Sequence, residues 1–362
     1  MFLIFINDLP GASDLNSWLF ADDTALAVSS DNFGDLETRF NSEVNKVHDW
    51  LLANQLSVHY SDKTQFMLVH RSNLKEGTEL SLNFELYMGD HKIERTDHYK
   101  YLGIMVDDRL NWKLQTNMLC TKLSSVCGIL SKVRHFLDRK SLMLIYNSLF
   151  DSRLKYGILG WGTTPEQNMS KLNVLQNKAV RLITFSSFRS SVAPLYSNLK
   201  ILPLNDQFFL QKSTFMHCLY YNNLPSLLKG YCHKPEHKYL TRYKTSKNYI
   251  VPNTTTNRGQ CSIKYTGPKA WAKVPDDCKD VAFRKPFSKK LKDHILKTTY
   301  VEMPQKRTKS CPIATKDEVI ELKALFESDE EEGEFNGFNS SMNMSLTFIF
   351  QDVSDGEEFL GF

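Results

Sequence analysis

The sequence has no apolar run of the roughly 20 residues needed to cross a bilayer, and no membrane partner is expected. Its opening, MFLIFINDLP, is apolar but short, and it lacks the basic stretch that begins a secretory signal. Cysteine is sparse and odd in number: Cys120, Cys127, Cys218, Cys232, Cys261, Cys278 and Cys311 are scattered along 362 residues. That pattern excludes the disulfide framework of a small secreted domain. It points to reduced thiols inside the cell, in cytoplasm or nucleus. Finger or knuckle spacing is missing as well. Cys218, Cys232, His233 and His237 come nearest to a cluster, and zinc is not expected. Cys120 and Cys127, seven residues apart on one helix face, read as core packing. No internal repeat is present.

Nor is there a large net charge, since 45 Lys+Arg against 41 Asp+Glu leave +4. The balance is uneven, however. Residues 327–334 (ESDEEEGE) are strongly acidic, and 352–358 add four carboxylates. Without those runs the body is basic, which suits a polyanion such as nucleic acid and suits an ordinary solvated surface too.

Hydrophobic residues at 41% suffice for packed cores, and their spacing predicts an α+β chain. Residues 2–9 read as the end of a buried helix, stopped by Pro10 and Gly11. Met1 opens inside that apolar pattern without a cap, so a preceding segment is expected. Trp18-Leu19-Phe20 and Thr24-Ala25-Leu26-Ala27-Val28 flank Asp22-Asp23, the signature of a hairpin with an acidic tip. An amphipathic helix follows over 31–53, capped by Asp31, with Leu36, Phe40, Val44, Val47 and Leu51 on one face. Strands are expected at 56–58, at 65–69 and up to 106. Helices are expected near 112–137, 140–159, 166–184, 205–222 and 283–297. Residues 230–260 read as polar loop, and disorder is expected beyond about residue 302.

Adjacent aspartates at a hairpin tip are hard oxygen donors of the kind Mg²⁺ prefers. Asp-Asp is also a common turn sequence, bonding to its own backbone. Two-metal nucleotidyl transfer holds its ions about 3.5–4 Å apart. Because successive strand residues face opposite sides, another strand must supply a further carboxylate.

The surroundings of the pair are more telling. Phe20-Ala21-Asp22-Asp23, preceded by Phe5-Ile6-Asn7-Asp8-Leu9-Pro10, resembles the catalytic hairpin of reverse transcriptases from non-LTR (LINE-type) retrotransposons, jockey-like ones especially. His48-Asp49-Trp50-Leu51, Asn54-Gln55-Leu56-Ser57 and Lys63-Thr64 are similar to the family's next segment. Tyr99 to Ile104 resembles its primer grip, and Leu110-Asn111-Trp112 resembles the start of its thumb. Looser likenesses continue through Lys155-Tyr156-Gly157-Ile158, Leu175-Gln176-Asn177-Lys178-Ala179 and Gly267-Pro268-Lys269-Ala270-Trp271 to about residue 297.

The resemblance implies a partial polymerase palm over 1–110 and a helical thumb over 111–225. A basic C-terminal region over 226–300 and an acidic tail over 301–362 follow. It implies Mg²⁺ at Asp22, with Asp23 assisting. Lys63 would protonate pyrophosphate, though His59 and Tyr60 depart from the family's Asn in that loop. Tyr101, Leu102 and Gly103 would hold a DNA primer, and RNA template and dNTP would be the other partners. Apart from the resemblance, Lys285, Lys289, Lys290 and Lys292 give the helix near 283–297 a basic character, suited to binding nucleic acid and to an ordinary solvated surface alike. The family's other palm aspartate and its fingers belong upstream of residue 1, so the expectation is a chain that does not polymerise alone. The alternatives are a non-catalytic RNA/DNA-binding module and an inert transposon remnant.

Overall fold

Apolar residues recur every third or fourth position after the acidic hairpin, and this segment forms helix α1 (Phe33–Ala53). Leu36, Phe40, Val44, Val47 and Leu51 are all buried in one core. Facing them is a sheet built from β1 (Asn16–Phe20), β2 (Asp23–Ser30), β3 (Ser57–Val58), β4 (Gln65–Val69), β5 (Leu86–Met88) and β6 (His91–Arg95). Leu26 and Val28 of β2 and Phe66 and Leu68 of β4 enter this core at strand spacing, with Leu86, Met88 and Ile93. Each such side chain contributes about 1.5–3 kcal/mol on burial. A separate hairpin, β7 (His98–Tyr101) and β8 (Ile104–Asp107), closes on the pair Tyr101 and Ile104. Leu102 (φ 46°) and Gly103 (φ 82°) both take left-handed backbone there, as a two-residue turn between twisted strands demands.

The structure is a computed structural model that describes residues 2–30, 33–60, 63–69, 84–225, 228, 230–234, 247–300 and 343–352. Two compact units emerge. One comprises Met1–Leu114 with Glu332–Glu358, and the other Gln115–Glu331 with Phe359–Phe362. The capping role assigned to Asp31 lies outside the described residues.

The edge strand β5 is closed off by the helix that covers it. Glu37, Asn41 and Asn45, four residues apart on α1, accept from the backbone N–H groups of Glu85 (3.0 Å), Tyr87 (2.9 Å) and Gly89 (3.0 Å). Side chains of a helix thus stand in for the missing neighbouring strand.

The expectation of disorder beyond residue 302 is corrected for one stretch. Residues Asn343–Asp352 form a strand, β9, in the sheet of the first unit. The strand order is β1-β2-β9-β4-β6-β5, with β3 also paired to β9. β9 runs parallel to β2 from Asp23↔Ser345 to Ser30↔Asp352, and parallel to β4 from Gln65↔Thr347 to Val69↔Gln351. The reason is local composition: Leu346-Thr347-Phe348-Ile349-Phe350 is rich in β-branched and aromatic residues. The acidic runs on either side obscured it.

In the second unit the helical spacing is realised closely. Helices α2 (Lys113–Val133), α3 (Arg139–Ile145), α4 (Glu166–Ile183), α5 (Ala193–Leu199) and α6 (Leu204–Tyr220) lead to α7 (Ile263–Ala272) and α8 (Arg284–Tyr300). α3 runs on through a π-helical turn, Tyr146–Asp151, into Ser152–Lys155. Two of the segments quoted for the family resemblance hold this unit together. Gln176 is buried; its amide donates to Tyr146 Oη (3.1 Å) and the Leu202 carbonyl (3.0 Å), and its oxygen accepts from Leu204 N–H (3.0 Å). At Gly267 a Cβ would stand 2.7 Å from Met216 Sδ, so a larger residue there would require the Met216 side chain to shift where α6 and α7 pack.

Sheet and helices each yield a test. Thr347 is the register partner of both Ala25 and Gln65. Thr347→Pro removes an N–H from the middle of the sheet and is expected to abolish slow amide exchange in β2 and β4. Unchanged protection there would contradict the central position of β9. In the helical unit, His217 is fully buried, its ring stacked on Phe287 (4.2 Å), its Nε2–H donating to the Val281 carbonyl (2.7 Å), its Nδ1 without a partner. Burial holds this imidazole below its ordinary range, and the Val281 bond only partly offsets it. The unfolded chain therefore takes up the proton first, and the stability from a neutral ring is lost as pH falls below about 6.5. The urea midpoint of wild type should drop between pH 7 and 5, with a shallower drop in His217→Phe; equal slopes would contradict this.

Candidate nucleic-acid site around the acidic hairpin

The hairpin of β1 and β2 pairs Asn16 with Ala27 through to Phe20 with Asp23, leaving Ala21 and Asp22 as its two-residue loop. Ala21 takes φ 54°, a left-handed conformation that costs a non-glycine residue about 1 kcal/mol. Asp22 is exposed, and Asp23 is half-buried where β2 begins. On the outer face of β1, Trp18 and Phe20 are exposed, 37% and 61%, flat apolar surfaces beside the carboxylates.

Two other predicted residues converge on this end of the sheet. Tyr101 is half-buried; burial raises its phenol above the ordinary range, and the charges of Asp23 and Tyr99 add to the effect. The acidic tip and the β7–β8 turn are therefore electrostatic neighbours. Leu102 is half-buried and Gly103 exposed in that turn. Lys63 is exposed two residues before Gln65. Gln65 pairs with Thr347, two residues beyond the Ser345 that pairs with Asp23. Lys63 thus lies in the turn that leads into β4, whose first residue Gln65 is at the same end of the parallel strands as Asp23.

The donor set at the tip is small. On the side of β2 away from β1, the register partner of Asp23 is Ser345. β9 carries its own aspartate, Asp352, to the opposite end beside Ser30. At about 3.3 Å per residue that is roughly 23 Å from Asp23. Among the described residues no three of His, Cys, Asp and Glu are grouped to hold a metal ion. The carboxylates described at the tip are too few to fill the coordination of two Mg²⁺ ions.

The four lysines of the C-terminal helix do not act as one patch. Lys285, Lys289 and Lys292 fall at i, i+4 and i+7 on α8, and the first two are exposed. Lys290 lies off that stripe and pairs with Asp277, 2.5 Å from its carbonyl and 3.1 Å from Oδ2. Lys292 is half-buried and lines a cavity. Cys218 and Cys232 are buried; burial pushes the Cys232 thiol to about 11 and raises Cys218. His237, which was grouped with them, lies outside the described residues. Among the described residues no helix is long and apolar enough to cross a membrane.

No protein-family model matches the chain, and no solved structure matches it. Two curated polymerases do. Over 126 residues, 34% of the chain, it is 26% identical to the probable RNA-directed DNA polymerase from transposon X-element of Drosophila melanogaster. Over 219 residues, 57% of the chain, it is 22% identical to the RNA-directed DNA polymerase from mobile element jockey of the same organism. The chain is related to transposon RNA-directed DNA polymerases. It spans 14% and 23% of the lengths of these two relatives.

One important residue near the site escaped the sequence reading. Asp107 is buried at the end of β8 and accepts from the N–H groups of Asn111 (3.0 Å) and Trp112 (2.9 Å). It pins a segment in which Leu110 (φ 47°) and Trp112 (φ 61°) are both left-handed. The signal was an acidic pair, Asp107-Asp108, followed by a polar turn; without the turn geometry it reads as ordinary loop. Asp107→Ala removes two charge-assisted bonds and strands two N–H groups, and should cost about 2–3 kcal/mol. A change under about 0.5 kcal/mol in chemical denaturation would show that the turn holds without it.

Proposed function

We propose that this chain is a segment of a reverse transcriptase of the non-LTR, jockey-like LINE type. β1–β2 would be the catalytic hairpin of its palm, and the helical unit its thumb. The observation that supports this reading is the Asp22–Asp23 tip at the end of the sheet where Lys63 leads into β4, with Asp23 acting electrostatically on Tyr101 of the neighbouring hairpin, in a chain related to transposon polymerases. In this reading Asp22 is a Mg²⁺ ligand and Asp23 its neighbour. Lys63 faces the leaving pyrophosphate of an incoming dNTP. Tyr101, Leu102 and Gly103 hold the end of a DNA primer on an RNA template. The setting is intracellular, cytoplasmic or nuclear.

By itself the chain would bind nucleic acid without extending a primer, because the described donors at the tip number two carboxylates from one hairpin. The exposed Trp18 and Phe20 are suited to stacking bases, and Lys285 and Lys289 to pairing with phosphates. The pure protein, given RNA template, DNA primer, dNTPs and Mg²⁺, is expected to show no extension. It should still retain labelled RNA at low salt and release it as salt rises. Extension that disappears in Asp22→Ala would overturn the inactive reading. Absence of RNA binding at low salt would overturn the binding one.

A further inference from the structure

Within the helical unit lies a cavity of about 300 Å³ that the hairpin reading does not use. Its lining includes Tyr146 and Asp151 from the π-helical turn, Lys155 just after it, Lys200 past the end of α5, Gln207 of α6 and Lys292 of α8. Three lysines from three separate elements thus line one cavity with a single aspartate. Asp151 is ion-paired with Lys155, which leaves Lys200 and Lys292 in excess. Lys200 reaches the cavity from a left-handed backbone position (φ 54°) that closes α5. The π turn widens the helix by one residue just where Asp151 and Lys155 meet the cavity. On the outside, Lys285 and Lys289 continue the stripe of α8 that ends at Lys292.

Like charges gathered around a concave, partly desolvated space repel unless an anion joins them. Burial and the charge of Lys155 both hold the Lys292 ammonium below its ordinary range, against the opposing pull of Asp151 and Asp293. A phosphate group would relieve this, accepting charge-assisted bonds from Lys200 and Lys292 beside the Lys155–Asp151 pair, and it is small enough for the cavity to admit. We propose that the cavity bounded by Lys155, Lys200 and Lys292 is a phosphate-binding site. The phosphate belongs either to a strand of nucleic acid tracked along Lys285 and Lys289 or to a free small phosphate compound. The first source deepens the nucleic-acid-binding reading, while the cavity itself stands on the helical unit alone.

The test uses the full chain and two probes. Pyrophosphate is titrated calorimetrically without primer or template, and a labelled single-stranded 12-mer is followed by anisotropy. Lys200→Gln and Lys292→Gln should each weaken pyrophosphate binding about tenfold, with unchanged melting temperature. Lys132→Gln, an exposed lysine of α2 outside the cavity lining, should leave it unchanged. Asp151→Asn should tighten it, whereas a cavity that merely collapsed would lose it. If the 12-mer competes with pyrophosphate and feels the same substitutions, the phosphate is that of a nucleic-acid backbone. If the 12-mer is indifferent to them, the source is a free phosphate compound. The proposal is overturned if pyrophosphate does not bind, if the two lysine variants bind it as wild type does, or if Asp151→Asn weakens it. None of these outcomes bears on primer extension, so the polymerase-related reading stands or falls separately.

Discussion

A β-sheet is stable only if each interior strand finds main-chain partners on both sides, and the first unit meets that demand in two unusual ways. Between β2 and β4 the partner is β9, drawn from residues 343–352, more than 270 positions after β4. At the β5 edge the partner is a helix, whose Glu37, Asn41 and Asn45 side chains receive three backbone N–H groups. Each unpaired buried amide costs about 1–3 kcal/mol. That cost bears on the interior strands beside β9, while the helix side chains close a more exposed edge.

The same constraint shapes the candidate site. The position beside Asp23 on the inner side of the hairpin is where a further carboxylate would have to stand to share a metal ion. That position is held by Ser345, because β9 runs parallel to β2 and takes Asp352 to the far end. Strand direction, rather than the presence of acidic residues in the chain, sets the chemistry of the tip. The hairpin keeps its shape, its strained Ala21 and its neighbour Tyr101, and two carboxylates of its own.

Much of this was legible in the sequence where the signal was local. Leu36, Phe40, Val44, Val47 and Leu51 announced their helix and its buried face by spacing alone. The acidic hairpin and the helices from residue 113 onward followed from period and turn chemistry. What could not be read was long-range. No periodicity tells that Leu346 to Phe350 pairs with strands near the other end of the chain, or in which direction. Asp107 looked like loop because its role depends on two N–H groups folded back onto it. The lysines of α8 show in the sequence as a basic helix, while the sequence does not tell that the fold ties Lys290 to Asp277 and puts Lys292 in a cavity lining with Lys155 and Lys200, residues distant in sequence. Individual roles at Asp22, Asp23 and Lys63 come from resemblance, and the geometry adds that they share one end of a sheet.

The direction of β9 is the point on which the account turns, and paramagnetic relaxation tests it directly. A spin label at Asp352→Cys, with Cys261 and Cys311 changed to Ser, broadens the amide signals of residues near the end of that strand. The account predicts broadening at Ser29 and Ser30, with Asp23 and Thr24 unaffected. Broadening at Asp23 and Thr24 instead would mean that β9 runs the other way and brings its carboxylate to the tip. That result would contradict the account and reopen two-metal chemistry at the hairpin.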